Sequence, residues 1–142
     1  MMTLEDRDVT AVQYYLENGA DANVKHGPYL VSALHLATAL RLEEAVDLLL
    51  QHRADVNAIE SRGISPLHIA AGAGSHVLVS KYIAGGALIK IQDGTRNETP
   101  LHSAAYAGHA QVVEQLIDAG AKVMIYQLNY KSRVKYLIGT LN

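Results

Sequence analysis

A chain of 142 residues, 49% of them hydrophobic and 18% charged, has the size and composition of one folded domain. Its formal charge of −2 and its lack of cysteine exclude disulfides, thiolate metal sites and the cationic excess of a nucleic-acid or lipid-surface binder. Eight Tyr but no Phe and no Trp leave Leu, Ile, Val and Ala to build the core, which suits thin layers.

The N-terminal stretch MMTLEDRDVT is acidic and lacks the basic-then-apolar order of a signal peptide. No apolar run approaches the ~18 residues that cross a bilayer, so no membrane insertion is expected. Residues 1–23 predict the tail of one helix and a complete second helix with the apolar set Ala11, Val12, Tyr15 and Leu16. A marker then recurs: Ser32-Ala-Leu-His-Leu-Ala, Ser65-Pro-Leu-His-Ile-Ala and Thr99-Pro-Leu-His-Ser-Ala, spaced 33 and 34 residues apart. Gly19, Arg53, Gly86 and Gly120 set a second register, at intervals of 34, 33 and 34. Two markers sharing one period predict a stacked array.

Each marker has a local task. Ser65 and Thr99 are placed to cap a helix N-terminus, and Pro66 and Pro100 stand at the first helical position, where a missing N–H costs nothing. Ala70-Ala71 and Ala104-Ala105 keep that helix thin, and Gly74 and Gly108 end it in a left-handed turn. Second helices follow with stripes at Ala45, Val46, Leu49 and Leu50; Leu78, Val79, Tyr82 and Ile83; and Val112, Val113, Leu116 and Ile117. One repeat cannot bury such a stripe alone, so neighbours must stack. Arg41 and Arg53 replace glycines at turns, which predicts altered or mildly strained turns. Leu88-Ile-Lys90 and Lys122-Val-Met124 lack the Asp-Val-Asn of residues 55–57. Stretches 24–31 and 91–98 are each one residue longer than 58–64. Past Asn129 the pattern fails. Residues 132–142 fit either a C-terminal cap or the start of a further repeat.

These residues resemble the ankyrin repeat, T-P-L-H-x-A-A-x-x-G-H followed by V-V-x-x-L-L-x-x-G-A-D-V-N. Thr99, Pro100, Leu101, His102, Ala104, Ala105, Gly108, His109, Val112, Val113, Leu116, Ile117 and Gly120 follow it closely. The resemblance implies an all-α repeat solenoid of helix-turn-helix units with β-turn or hairpin finger loops. It divides the single domain 1–142 into a partial repeat at 1–31, full repeats at 32–64, 65–98 and 99–131, and the terminal 132–142.

Chemical readings compete poorly with this one. His35, His68 and His102 recur once per repeat, and neighbouring repeats stand ~10 Å apart, too far for shared coordination at ~2.1 Å. Their expected role is bonding to the backbone of adjacent loops. His26, His52, His76 and His109 are scattered, with no His-x-x-x-His pair. Gly72-Ala-Gly74-Ser joins two short helices rather than opening a phosphate-binding helix after a strand. No strained nucleophile turn is present. Lys131, Arg133 and Lys135 read as a solvated helix face. The expectation is a non-enzyme with no cofactor and no metal.

The family resemblance implies a protein-binding role, as adaptor, scaffold or stoichiometric inhibitor, for a monomer in the cytoplasm, with the nucleus or a host cytoplasm as alternatives. The partner would touch the fingers, at Lys25, His26 and Tyr29; at Ile59, Ser61, Arg62 and Ile64; and at Gln92, Thr95, Arg96 and Glu98. It would also touch the first helices, at Ala39, Leu40, Gly72, Ala73, Tyr106 and Ala107. Ile59 and Ile64 flank Arg62 on a turn that demands no aliphatic side chain, and Arg among apolar neighbours is enriched at interface centres. Asn57, with Asp55 two and Leu49 eight residues earlier, matches ankyrin asparagines that oxygenases modify. A start inside a first helix also leaves open a regulatory segment of a larger enzyme or channel.

Overall fold

The computed structural model describes residues 4–121; the expectations for residues 122–142, including the terminal cap or further repeat, lie outside that span. The order is α1 (Leu4–Glu17), β1 (Lys25–His26), β2 (Val31–Ser32), α2 (Ala33–Ala39), α3 (Glu43–Gln51), α4 (Pro66–Gly72), α5 (His76–Ala84), α6 (Pro100–Ala107) and α7 (Ala110–Asp118). The first helices α2, α4 and α6 stack as one layer and the second helices α1, α3, α5 and α7 as another. The fold is an all-α repeat solenoid whose only sheet, among the described residues, is the antiparallel β1–β2 hairpin. It pairs Lys25 with Ser32 and His26 with Val31.

Each first helix begins as its sequence dictates. Ser32, Ser65 and Thr99 are extended, and the Ser32 and Ser65 hydroxyls accept from the amides of His35 and His68. The turn to the second helix passes through a left-handed residue every time: Arg41 at φ 57°, Gly74 at 72° and Gly108 at 81°. Arg41 thus keeps the glycine conformation, and its guanidinium donates to the Ala73 carbonyl of the next repeat. Gly74 is needed twice over, since a Cβ there would lie 2.5 Å from the His109 ring.

The stripes of α3, α5 and α7 form one continuous core with Leu34, Leu67, Leu101 and the paired alanines. In α5, Tyr82 occupies the place of Leu49 and Leu116, and its buried hydroxyl bonds Thr38 of the preceding repeat. Thr38 itself stands where Ala71 and Ala105 stand. A longer side chain on one repeat is therefore matched by a polar one on its neighbour. Along the back, Lys81 bonds Asp47 and Gln115 donates to Ser80, the same link between successive second helices.

The N-terminal unit departs from expectation. α1 is unbroken through Arg7, with no helix-turn-helix within it. Leu16 is buried and Val12 half-buried, but Ala11 and Tyr15 are exposed, Tyr15 at 64%. The positions equivalent to these two are covered in later repeats by the repeat's own first helix, and no first helix packs on α1 among the described residues.

The loops after α1 and α3 are tied forward. Asn23 accepts from the Asp55 amide and donates to the Arg53 carbonyl, and Asn57 accepts from the Leu88 amide. Lys90 holds the equivalent place in the next loop, where Ile89, like Val56 one repeat earlier, packs against the core. Arg53 adopts φ 63°, where an L side chain crowds its own carbonyl. Arg53→Gly should therefore raise stability by about 1 kcal/mol after glycine's greater unfolded entropy is counted. Urea unfolding measures this, and an unchanged or lower midpoint would show the turn to be unstrained.

Candidate partner-binding face

The second and third fingers are built on buried carboxylates. Glu60, only 6% exposed, accepts from the Arg62 and Ile64 amides through Oε1 and from the Arg62 guanidinium through Oε2. Asp93, equally buried and 33 residues on, accepts from the amides of Thr95, Arg96 and Glu98. Burial acts to raise both carboxyls, but these bonds outweigh it and hold each below its ordinary value. The first finger has Gly27 in the corresponding place and uses the β1–β2 pairing instead.

Neighbouring fingers are then tied to one another. The Ser61 amide donates to the Tyr29 carbonyl at 2.8 Å, Lys25 Nζ to the Ile59 carbonyl at 2.8 Å, and the Gly94 amide to the Arg62 carbonyl at 2.7 Å. A Cβ on Gly63 would stand 2.5 Å from the Gly94 nitrogen, so this approach requires glycine. All three fingers turn through a left-handed residue two positions before the cap: Leu30, Gly63 and Asn97. The extra residue of the longer fingers therefore lies before that turn.

The row of imidazoles binds fingers to helices. His35 and His68 accept at Nδ1 from the amides of Ser32 and Ser65, and at Nε2 they face the carbonyls of Ile64 and Glu98, 2.9 Å away. A carbonyl only accepts, so Nε2 carries the proton and each ring is neutral. His102 repeats the Nδ1 contact with Thr99. The expected backbone-bonding role is met at His35 and His68, each reaching the loop just before the next repeat's cap.

With the backbone so fixed, the finger side chains divide into two groups. Lys25, His26, Tyr29, Ile59, Ser61 and Arg62 are exposed, as are Gln92, Thr95 and Arg96. Ile64 and Glu98 are half-buried, and their carbonyls receive the histidines. The aliphatic pair around Arg62 is thus unevenly exposed. Ile59 is solvent-facing, whereas Ile64 is a structural joint of the finger. On the first helices Leu40 and Ala39 are exposed and Tyr106 is half-buried beside the His102 ring.

Sequence reasoning missed Glu60 and Asp93, although an acid recurring at the 33-residue period was a usable signal. It also missed Leu36, 54% exposed and one turn before Leu40. Among the described residues no three His, Asp or Glu side chains group as a metal site, and no helix is long and apolar enough to cross a membrane.

Burial pushes the His35 and His68 imidazoles below their ordinary 6.5, despite carbonyl bonds and nearby carboxylates that favour the cation. The folded chain therefore binds fewer protons there than the unfolded one. The resulting stability is full above pH ~6.5 and is lost as pH falls toward the lower folded values. Urea midpoints should fall between pH 7 and pH 5, and less steeply in a His35→Gln variant. Parallel slopes for the two proteins would assign the loss to other groups.

A family model for ankyrin repeats, in three copies, matches residues 34–127. Over 56 residues the chain is 38% identical to the ARF GTPase-activating protein Git of Drosophila melanogaster. Over 72 residues it is 38% identical to the 2-5A-dependent ribonuclease of Homo sapiens. These stretches are 39% and 51% of this chain but only 8% and 10% of the two proteins.

Proposed function

The chain belongs to the ankyrin-repeat family, and from that premise we propose that it acts as an adaptor, scaffold or stoichiometric inhibitor, binding one partner protein across its fingers and first helices. Ankyrin repeats are protein-interaction modules, a non-catalytic fold. The observation that carries the finer reading is the division of labour in the fingers. Buried Glu60 and Asp93 and the links between fingers fix the backbone, so the exposed side chains of Tyr29, Ile59, Ser61 and Arg96 have no packing task of their own. A frame already fixed spares binding the cost of ordering the finger backbone. The protein is read as a cytoplasmic monomer, and Asn57, whose amide oxygen joins two repeats, as a residue open to hydroxylation.

A second reading is favoured by the two relatives, whose names are those of a GTPase-activating protein and a ribonuclease. The repeats would then be the regulatory segment of a longer chain. The mass of the native protein in its source cells separates the two, a mass near 15.3 kDa supporting the free-standing module.

Crosslinking mass spectrometry in native lysate should place a partner on residues 24–40, 58–64 and 91–98. An Ile59→Ala, Arg96→Ala variant should lose most of that recovery while its stability stays within about 0.5 kcal/mol, as for other exposed positions. Crosslinks confined to α3, α5 and α7 would sink the reading, and so would a variant that unfolds.

A further inference from the structure

The formal charge of −2 hides a strong separation of charge. The first helices carry none at all: residues 33–40, 66–73 and 100–107 contain no Asp, Glu, Lys or Arg, and their three histidines are buried. Beside this uncharged floor each finger presents one exposed cation, Arg62, Arg96 or Lys25, the last also donating to the Ile59 carbonyl. The acids of the same fingers are withdrawn, since Glu60 and Asp93 are buried under amide bonds and Glu98 is half-buried. Arg62 shares one nitrogen with Glu60 yet keeps 65% of its side chain in solvent. Exposed carboxylates lie instead on the second helices, at Glu17, Glu43, Glu44, Glu114 and Asp118, and in the loops just after them, at Asp21 and Asp55.

The floor is also unevenly apolar. Leu36 on α2 and Leu40 at its C-terminal cap, 54% and 65% exposed, stand one turn apart. Their equivalents shrink along the stack, to Ile69 and Ala73 and then to Ser103 and Ala107. An apolar seat thus lies at the first full repeat, and cations rim the finger side. The floor is made of helices whose amides and carbonyls are paired along their own axes, so it offers no edge to which an extended strand could add. A helical occupant, whose backbone bonds are already made, suits such a floor.

We infer that the partner segment is an acidic amphipathic helix. Apolar side chains one turn apart on it pack between Leu36 and Leu40, and its flanking carboxylates meet Lys25, Arg62 and Arg96. This rests on the reading of the finger and first-helix face as the binding surface, and it names the chemistry that surface selects. Fully solvated rim charges contribute mainly to choice of partner and to association rate, while the leucines supply the buried area.

The test uses three capped helical peptides of about 15 residues. The first has leucines one turn apart and glutamates on both flanks, the second replaces every glutamate with lysine, and the third replaces the leucines with alanine. Titrated into the full chain at low salt and followed by amide chemical shifts, the glutamate peptide should perturb Leu36, Leu40, Ile69 and the finger amides. Leu40→Asp should weaken it about tenfold or more, as should the Arg62→Glu, Arg96→Glu pair, and added salt should weaken it further. Equal binding by the lysine peptide would overturn the choice of an acidic partner. Equal binding by the alanine peptide would overturn the apolar seat. If none of the three moves this face, the inference fails, while native crosslinks to the same face would leave the proposed function standing. Native crosslinks confined to the second helices would remove both.

Discussion

Helices of seven to nine residues are too short to persist in water on their own. Every element from α2 to α7 therefore depends on contacts with its neighbours, and the imidazole link is the most economical of these. One side chain completes the N-terminus of its own first helix through Nδ1 and, through Nε2, holds the finger that leads into the next repeat. The link works only with a neutral ring, because a proton on Nδ1 would face the amide it now accepts from. Burial keeps the ring neutral, so packing and polarity reinforce one another.

The same economy leaves two surfaces with different duties. On the back, charge is used for joining: Lys81 with Asp47, and Gln115 with Ser80 in the uncharged version of the same link. On the fingers, charge is used inwardly by acids and outwardly by bases. Each anchoring carboxylate gathers backbone amides, a stronger arrangement than an exposed ion pair. The cations left over are the ones solvent and a partner meet. Thr38 with Tyr82 shows that the core, too, is specified pairwise between repeats.

Much of this was legible in the sequence because its periodicity is physical. Ser65 caps, Gly74 and Gly108 turn, and the apolar pairs of α3, α5 and α7 pack on the core as their spacing implies. The histidine row was also readable, since one position recurring per repeat suits one recurring bond to the backbone. What escaped depended on contacts between side chain and backbone. Nothing in Ile64 as a residue says that its carbonyl receives His35, and an aliphatic in a loop reads equally as surface. Tyr15 misled for the opposite reason: its position is a core position, but burial there requires a first helix packed against it. Glu60 and Asp93 were hidden by their own chemistry, because acids in loops are ordinarily solvated.

The central claim is that the finger backbones are as fixed as the helices while their side chains remain free. Native-state amide hydrogen exchange tests it most directly, read at Ser61, Ile64, Gly94, Arg96 and Glu98. The account predicts slow exchange at these amides, opening together with α2, α4 and α6 and weakening together in a Glu60→Ala variant. Exchange near unfolded-chain rates at those five positions, beneath protected helices, would contradict it.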